Sequence, residues 1–156
     1  MLPQGPTSLL VVDDEPSVCE FLARALSEAG YLVRTTTSAL DALRIVNDAG
    51  LPDLLLTDLK MPIMEGDALA ARMRHADPDL PVLYLTGFAD QLFRDKPVLW
   101  EREAFLEKPC SVNGVLEAVS MLLYGHLVPQ SVDPGIMWFS SLRHGLLTLN
   151  VTGRRR

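Results

Sequence analysis

The chain has 156 residues, 48% apolar and 22% charged, which suffices for one buried core, is too short for two large domains and excludes an intrinsically disordered chain. Residues 1–124 hold 19 Asp and Glu against 10 Lys and Arg, a balance of −9, whereas residues 125–156 hold 1 against 4, a balance of +3. The acidic body argues against broad nucleic-acid or anionic-membrane binding, no apolar run reaches the roughly 20 residues that span a bilayer, and Cys19 and Cys110 lack zinc-site or disulfide-scaffold spacing.

In chain order, Leu9-Leu10-Val11-Val12 reads as a strand buried on both faces and stops at Asp13-Asp14-Glu15. Pro16 suits a first helical turn, Val18, Phe21, Leu22, Ala25 and Leu26 recur at helical spacing, and Gly30 is a natural stop. Tyr31–Thr36 is a second strand by composition. Ser38 caps a helix carrying Ala39, Leu43 and Val46, which ends near Gly50. Leu54-Leu55-Leu56-Thr57 is another apolar run ending in a carboxylate, Asp58, and a loop to Gly66 follows. A helix with Leu69 and Met73 closes at Asp77-Pro78, and Pro81–Thr86 is a fourth strand. Phe88–Lys96 reads as a short helix stopped by Pro97. Ala104–Glu107 is a fifth strand before Lys108-Pro109, and Val112–Tyr124 is an amphipathic helix with Val115, Leu116, Val119, Leu122 and Leu123. No signal-peptide pattern opens the chain, so a reducing cytoplasm is the expected compartment.

Strand and helix alternating five times predict a flavodoxin-like, doubly wound α/β fold: a five-stranded parallel sheet, order 2-1-3-4-5, with helices on both faces. In such a sheet every strand's carboxyl end lies along one edge, and ligands bind there. Asp13, Asp14, Asp58, Thr86 and Lys108 all fall at strand ends of this kind. Three converging carboxylates repel one another unless a cation joins them. Oxygen ligands select a hard ion, Mg²⁺ or Mn²⁺. A Lys and a Thr beside that ion suit an arriving phosphoryl group, with a carboxylate as its acceptor. Each residue alone has a plainer reading, a loop start or a helix cap for the Asp and a structural hydroxyl for the Thr. It is their joint placement that points to chemistry.

The motifs Val11-Val12-Asp13-Asp14-Glu15-Pro16, Asp58-Leu59-Lys60-Met61-Pro62-Ile63-Met64-Glu65-Gly66, Tyr84-Leu85-Thr86-Gly87 and Phe105-Leu106-Glu107-Lys108-Pro109 resemble the receiver domain of two-component response regulators. The resemblance covers residues 7–124. It implies that Asp58 accepts a phosphoryl group from a sensor histidine kinase or phosphotransfer protein. Asp14 would hold Mg²⁺ directly and Asp13 through water, with Asp58 and the backbone carbonyl of Lys60 completing the set. Lys108 would pair with the phosphoryl oxygens. Thr86 would turn toward them on activation and Phe105 would swing inward behind it. Pro109 would follow a cis bond. Lys60 and Phe88, two residues after Asp58 and Thr86, would overhang the site and slow self-dephosphorylation. The chain departs from the family in lacking a Gly-Ala pair before the fifth strand, where Val98–Glu103 stands instead.

The domain reading is a receiver over residues 1–124 and an extension over 125–156, too short for a DNA-binding module. Val128–Gly135 reads as a linker, and Ile136, Phe139, Leu142, Leu146 and Leu149 as one helical apolar stripe. The tail packs on its own domain, stays disordered, or joins a partner. A homodimer would form through the tail or through the face of the fourth helix, fifth strand and fifth helix. On this reading the chain is no enzyme beyond its own phosphorylation and dephosphorylation. The alternatives are an aspartyl-phosphate phosphohydrolase and a phosphorylation-independent docking module. A dehalogenase-type hydrolase would want D-x-D after the first strand, where this chain has Asp13-Asp14-Glu15.

Overall fold

Each apolar run is a strand in the computed structural model, which describes residues 5–87 and 102–125 and the backbone of three short segments beyond them. The elements are β1 (Ser8–Val12), α1 (Pro16–Glu28), β2 (Leu32–Thr36), α2 (Ala39–Ala49), β3 (Leu54–Asp58), α3 (Gly66–Arg74), β4 (Val82–Thr86), β5 (Glu103–Glu107) and α4 (Val112–Tyr124). β6 (Ile136–Trp138), β7 (Ser140–Leu142) and β8 (Gly145–Leu147) follow. The helix expected over Phe88–Lys96 lies outside the described residues, so α4 is the fifth helix of the sequence reading.

The first five strands pair in parallel in the order β2-β1-β3-β4-β5, as the sequence predicts. Strand alternation splits their apolar side chains into two layers. Leu9, Val11, Leu54, Leu56, Leu83, Leu85 and Leu106 pack with α1 and α4, whereas Leu10, Val12, Leu55, Tyr84 and Phe105 pack with α2 and α3. Ser38 caps α2 by accepting the Asp41 N–H at 3.3 Å, and Ser111 caps α4 by accepting the Gly114 N–H at 3.0 Å. Among the described residues no helix is long and apolar enough to cross a membrane.

Three of the five residues read as one helical stripe depart from that reading, whereas Phe139, Leu149 and the linker Val128–Gly135 lie outside the described residues. Ile136, Leu142 and Leu146 belong to strands, and no single helix carries them. β6 joins the sheet antiparallel to β5, placing Met137 opposite Phe105, while β7 and β8 pair with each other. Short apolar stretches do not distinguish strand from helix by periodicity alone, and an open sheet edge offers unpaired backbone groups to any extended segment nearby.

Candidate functional site

The strand register assembles the site. Val12 lies opposite Thr57, Asp58 opposite Leu85, and Thr86 opposite Glu107. One residue past each of those strand ends stand Asp13 beside Asp58, and Lys108 beside Thr86. The Asp13 N–H also donates to the Thr36 carbonyl at 3.2 Å, and the Lys108 N–H to the Thr86 carbonyl at 2.9 Å. The backbone thus fixes where these side chains start.

Asp13, Asp14 and Asp58 each offer a carboxylate oxygen within 4.8 Å of the others. Lys108 Nζ lies 2.8 Å from Asp13 Oδ2, 3.5 Å from Asp58 Oδ2 and 3.9 Å from Glu15 Oε1. Asp13 is fully buried, and its Oδ1 accepts the Glu15 N–H at 2.9 Å. Its Oδ2 lies 2.8 Å from the Lys108 ammonium, and a carboxylate oxygen with one such partner keeps a lone pair for a further ligand. An all-oxygen set with that capacity fits a hard divalent cation and gives zinc or copper no soft or imidazole ligand. Asp13, Asp14 and Asp58 are the side chains that would hold it.

The electrostatics agree. Burial pushes the Asp58 carboxyl up to about 6; Lys108 pulls it down, and Asp13 and Asp14 push it up again. Burial works to lower the Lys108 ammonium, but Asp13, Asp58 and Glu15 outweigh it and hold the value above that of an ordinary lysine. Because folded Asp58 keeps its proton to a higher pH than the unfolded chain, which titrates near 3.8, its contribution is most favourable below that value and is lost as pH rises through about 6. In EDTA, Asp58→Asn should therefore become increasingly more stable than the wild type between those two pH values. The margin should grow by up to about 3 kcal/mol, read from urea midpoints; a margin that does not change with pH would contradict it.

The remaining sequence-selected residues divide. Thr86 is buried at the end of β4. The Lys108–Pro109 bond is cis. The Lys60 ammonium pairs with Glu65 at 3.0 Å, across the base of its own loop. Phe105 is fully buried between the sheet and the α2–α3 layer, beside Tyr84. Phe88 lies outside the described residues.

Three contributors were missed by sequence reasoning. Glu15 reaches Lys108 from the start of α1. Thr57, fully buried, donates its hydroxyl to the Asp58 carbonyl at 2.9 Å. Gly66 lies so close to Asp58 that a Cβ there would overlap the Asp58 carbonyl oxygen and sit 3.0 Å from Thr57 Oγ1. The motif from Asp58 to Gly66 contained that glycine, but only the fold shows what it makes room for. Cys19, whose thiol donates to the Asp13 carbonyl at 3.3 Å, is buried, and burial pushes its thiol up.

Comparison with known proteins gives the same picture. The chain is 31% identical over 120 residues to the sensor kinase CckA of Brucella abortus, covering 76% of this chain and 13% of that protein. It is 32% identical over 149 residues to the response regulator MprA of Mycobacterium avium, covering 95% of this chain and 65% of that one. The chain thus spans less than two thirds of the length of either curated relative. The crystal structure of a response regulator receiver protein from Sinorhizobium medicae superimposes with a TM-score of 0.68 at 28% identity, covering 76% of this chain and 94% of that one. The family model of the response regulator receiver domain matches residues 9–120, the stretch that holds all four charged groups of the hollow. The chain belongs to the response regulator receiver domain family.

Proposed function

We propose that this receiver accepts a phosphoryl group on Asp58 from the phosphohistidine of a sensor histidine kinase or phosphotransfer protein, and that the change resets a protein-interaction surface. The observation that carries the reading is the meeting of Asp13, Asp14 and Asp58 within 4.8 Å, with Lys108 Nζ between Asp13 and Asp58. An Asp58 carboxylate oxygen attacks phosphorus, the phosphorus–nitrogen bond of the donor breaks, and the imidazole departs with its electron pair and is protonated. Lys108 offsets the charge added at Asp58, about −1.5 to −2 for a phosphoryl group, and Asp13 keeps its ammonium in place. Mg²⁺ bound by Asp13, Asp14, Asp58 and the Lys60 carbonyl would neutralise charge on the phosphoryl oxygens.

Lys108 directly continues β5, so any shift of its ammonium toward new oxygens pulls on the strand that holds Phe105. The proposed output surface therefore includes β5 and α4. Thr86, where β4 ends beside Lys108, is the proposed switch hydroxyl. The cytoplasm, where such kinases present phosphohistidine, is the proposed compartment.

Incubation with acetyl phosphate and Mg²⁺, followed by measurement of free phosphate, tests the reading. Uptake of one phosphoryl group per chain, followed by release no faster than its own decay, is expected. Rapid steady release with no accumulation of labelled Asp58 would replace this reading with a phosphohydrolase.

A further inference from the structure

We infer that the outer edge of β5 is a strand-pairing surface for a second copy of this chain, and that the tail strand β6 is an internal cover that keeps it closed. The pairing is made by the backbone of the sheet edge rather than by helix faces, and it stands whether or not Asp58 is a phosphoacceptor.

The five parallel strands end at β2 on one side and at β5 on the other. An edge strand presents a row of backbone N–H and C=O groups that an extended segment can join, and proteins guard such edges with charge, proline or a cover. β2 is guarded by its own sequence: Leu32, Arg34 and Thr35 are exposed, and Arg34 puts a charge at the strand's centre. β5 is built differently. Ala104, Phe105 and Leu106 form an uncharged, fully buried run, and Glu103 before them is neutralised inside by Arg74 at 2.8 Å. Among the described residues, the strand that closes this edge is β6, antiparallel to β5.

Three paired positions make a weak cover, and its advantage comes from tethering. The connector from the left-handed Gly125 that ends α4 to Ile136 is residues 126–135, with Pro129 and Pro134 in it. A strand held on so short a connector has an effective concentration of the order of 1 mM. That keeps the edge closed against a second copy in the micromolar range for as long as β6 can form.

The occupant follows from the register. β6 is centred on Phe105, with Met137 opposite it, Trp138 opposite Ala104 and Ile136 opposite Leu106. A second β5 brought up by a two-fold axis is also antiparallel and takes the same centre, Phe105 against Phe105 and Ala104 against Leu106. Such a contact is isologous and closes as a dimer. It extends the pairing from three positions to the five of β5, adding Glu103 opposite Glu107 at each end. With Glu103 neutralised by Arg74 and Glu107 exposed, the repulsion left there is of the kind that salt screens.

The test compares the full-length wild type with the full-length double exchange Ile136→Pro and Met137→Pro. Successive N–H groups of a strand point to opposite edges, so one of the two prolines removes a donor aimed at β5. A second variant, with Ile136→Gly, Met137→Ser and Trp138→Gly, weakens β6 without proline and serves if the first does not fold. Mass is read by light scattering at about 50 µM, well below the effective concentration of the tethered strand, together with deuterium uptake of residues 103–107. The wild type should be a monomer. The variants should double in mass, more completely in about 0.5 M than in about 0.05 M salt, with residues 103–107 as protected as in the wild type. A folded variant that stays monomeric would overturn the inference. Association with faster exchange of residues 103–107 would also overturn it, because the contact would then lie in the loosened tail. A dimeric wild type would overturn it as well, because β6 would then not close the edge.

Discussion

Arg74→Met should lower the urea midpoint of unfolding by more than about 1 M, the largest loss of stability expected from a single exchange away from the carboxylate hollow. Arg74 closes α3, and its Nη1 lies 2.8 Å from Glu103 Oε1 at the start of β5. Their side chains are only 9% and 1% exposed. The same guanidinium donates from Nε and Nη2 to the Leu80 carbonyl, at 3.1 and 2.8 Å. The Tyr84 hydroxyl donates to Glu103 Oε1 at 3.1 Å, and burial, then Glu103, pushes the Tyr84 hydroxyl well above its ordinary value. Removing the arginine takes the cation from a carboxylate that water cannot reach, at a cost of about 3–5 kcal/mol. A domain of this size is stable by about 5–15 kcal/mol in total. The double exchange Arg74→Met with Glu103→Leu should recover more than half of the loss, because an apolar pair of similar volume replaces a buried ion pair without leaving a lone charge. A single variant that unfolds at the wild-type midpoint would contradict this account of the lower end of β4 and β5.

Gly66→Ala should slow labelling of Asp58 by acetyl phosphate by at least about ten-fold. The glycine lies at the start of α3, where any Cβ overlaps the Asp58 carbonyl oxygen and crowds Thr57. The contact is with backbone at the end of a central strand, so no side-chain rotation relieves it. Either α3 retreats, which loosens Leu69 and Met73 from the core, or Asp58 is displaced from the hollow it shares with Asp13, Asp14 and Lys108. Positioning losses of this kind are steep, because a displacement of about 1 Å can cost about 100-fold in rate. The same overpacking should lower stability by about 1–3 kcal/mol. Labelling and stability both at wild-type levels would show that the Gly66 approach does not position Asp58.

These two sites also show what the residue order discloses. The apolar runs Leu9–Val12 and Leu54–Leu56 end in carboxylates, and a buried strand that stops at an Asp is legible without coordinates. With the parallel order of the sheet, that sufficed to bring Asp13, Asp14, Asp58 and Lys108 to one edge. Glu103 was not legible. A charge at a strand start reads as solvent-facing, and its partner Arg74 lies 29 residues earlier, on another element. The pairing of the Lys60 ammonium with Glu65 at 3.0 Å was not legible either. The full burial of Phe105 opposite Tyr84 follows from its place in a short apolar strand. The tail failed for a different reason. Ile136–Trp138 has too few residues to show a period, and its state depends on the free edge of β5 rather than on its own propensities.

The most direct test of the central claim, that these carboxylates and Lys108 make Asp58 a phosphoryl acceptor, is intact mass after treatment with acetyl phosphate and Mg²⁺, for wild type and Asp58→Asn side by side. The wild type should gain the mass of one phosphoryl group and Asp58→Asn none. Equal gain in both, or gain in neither while both remain folded, would contradict it.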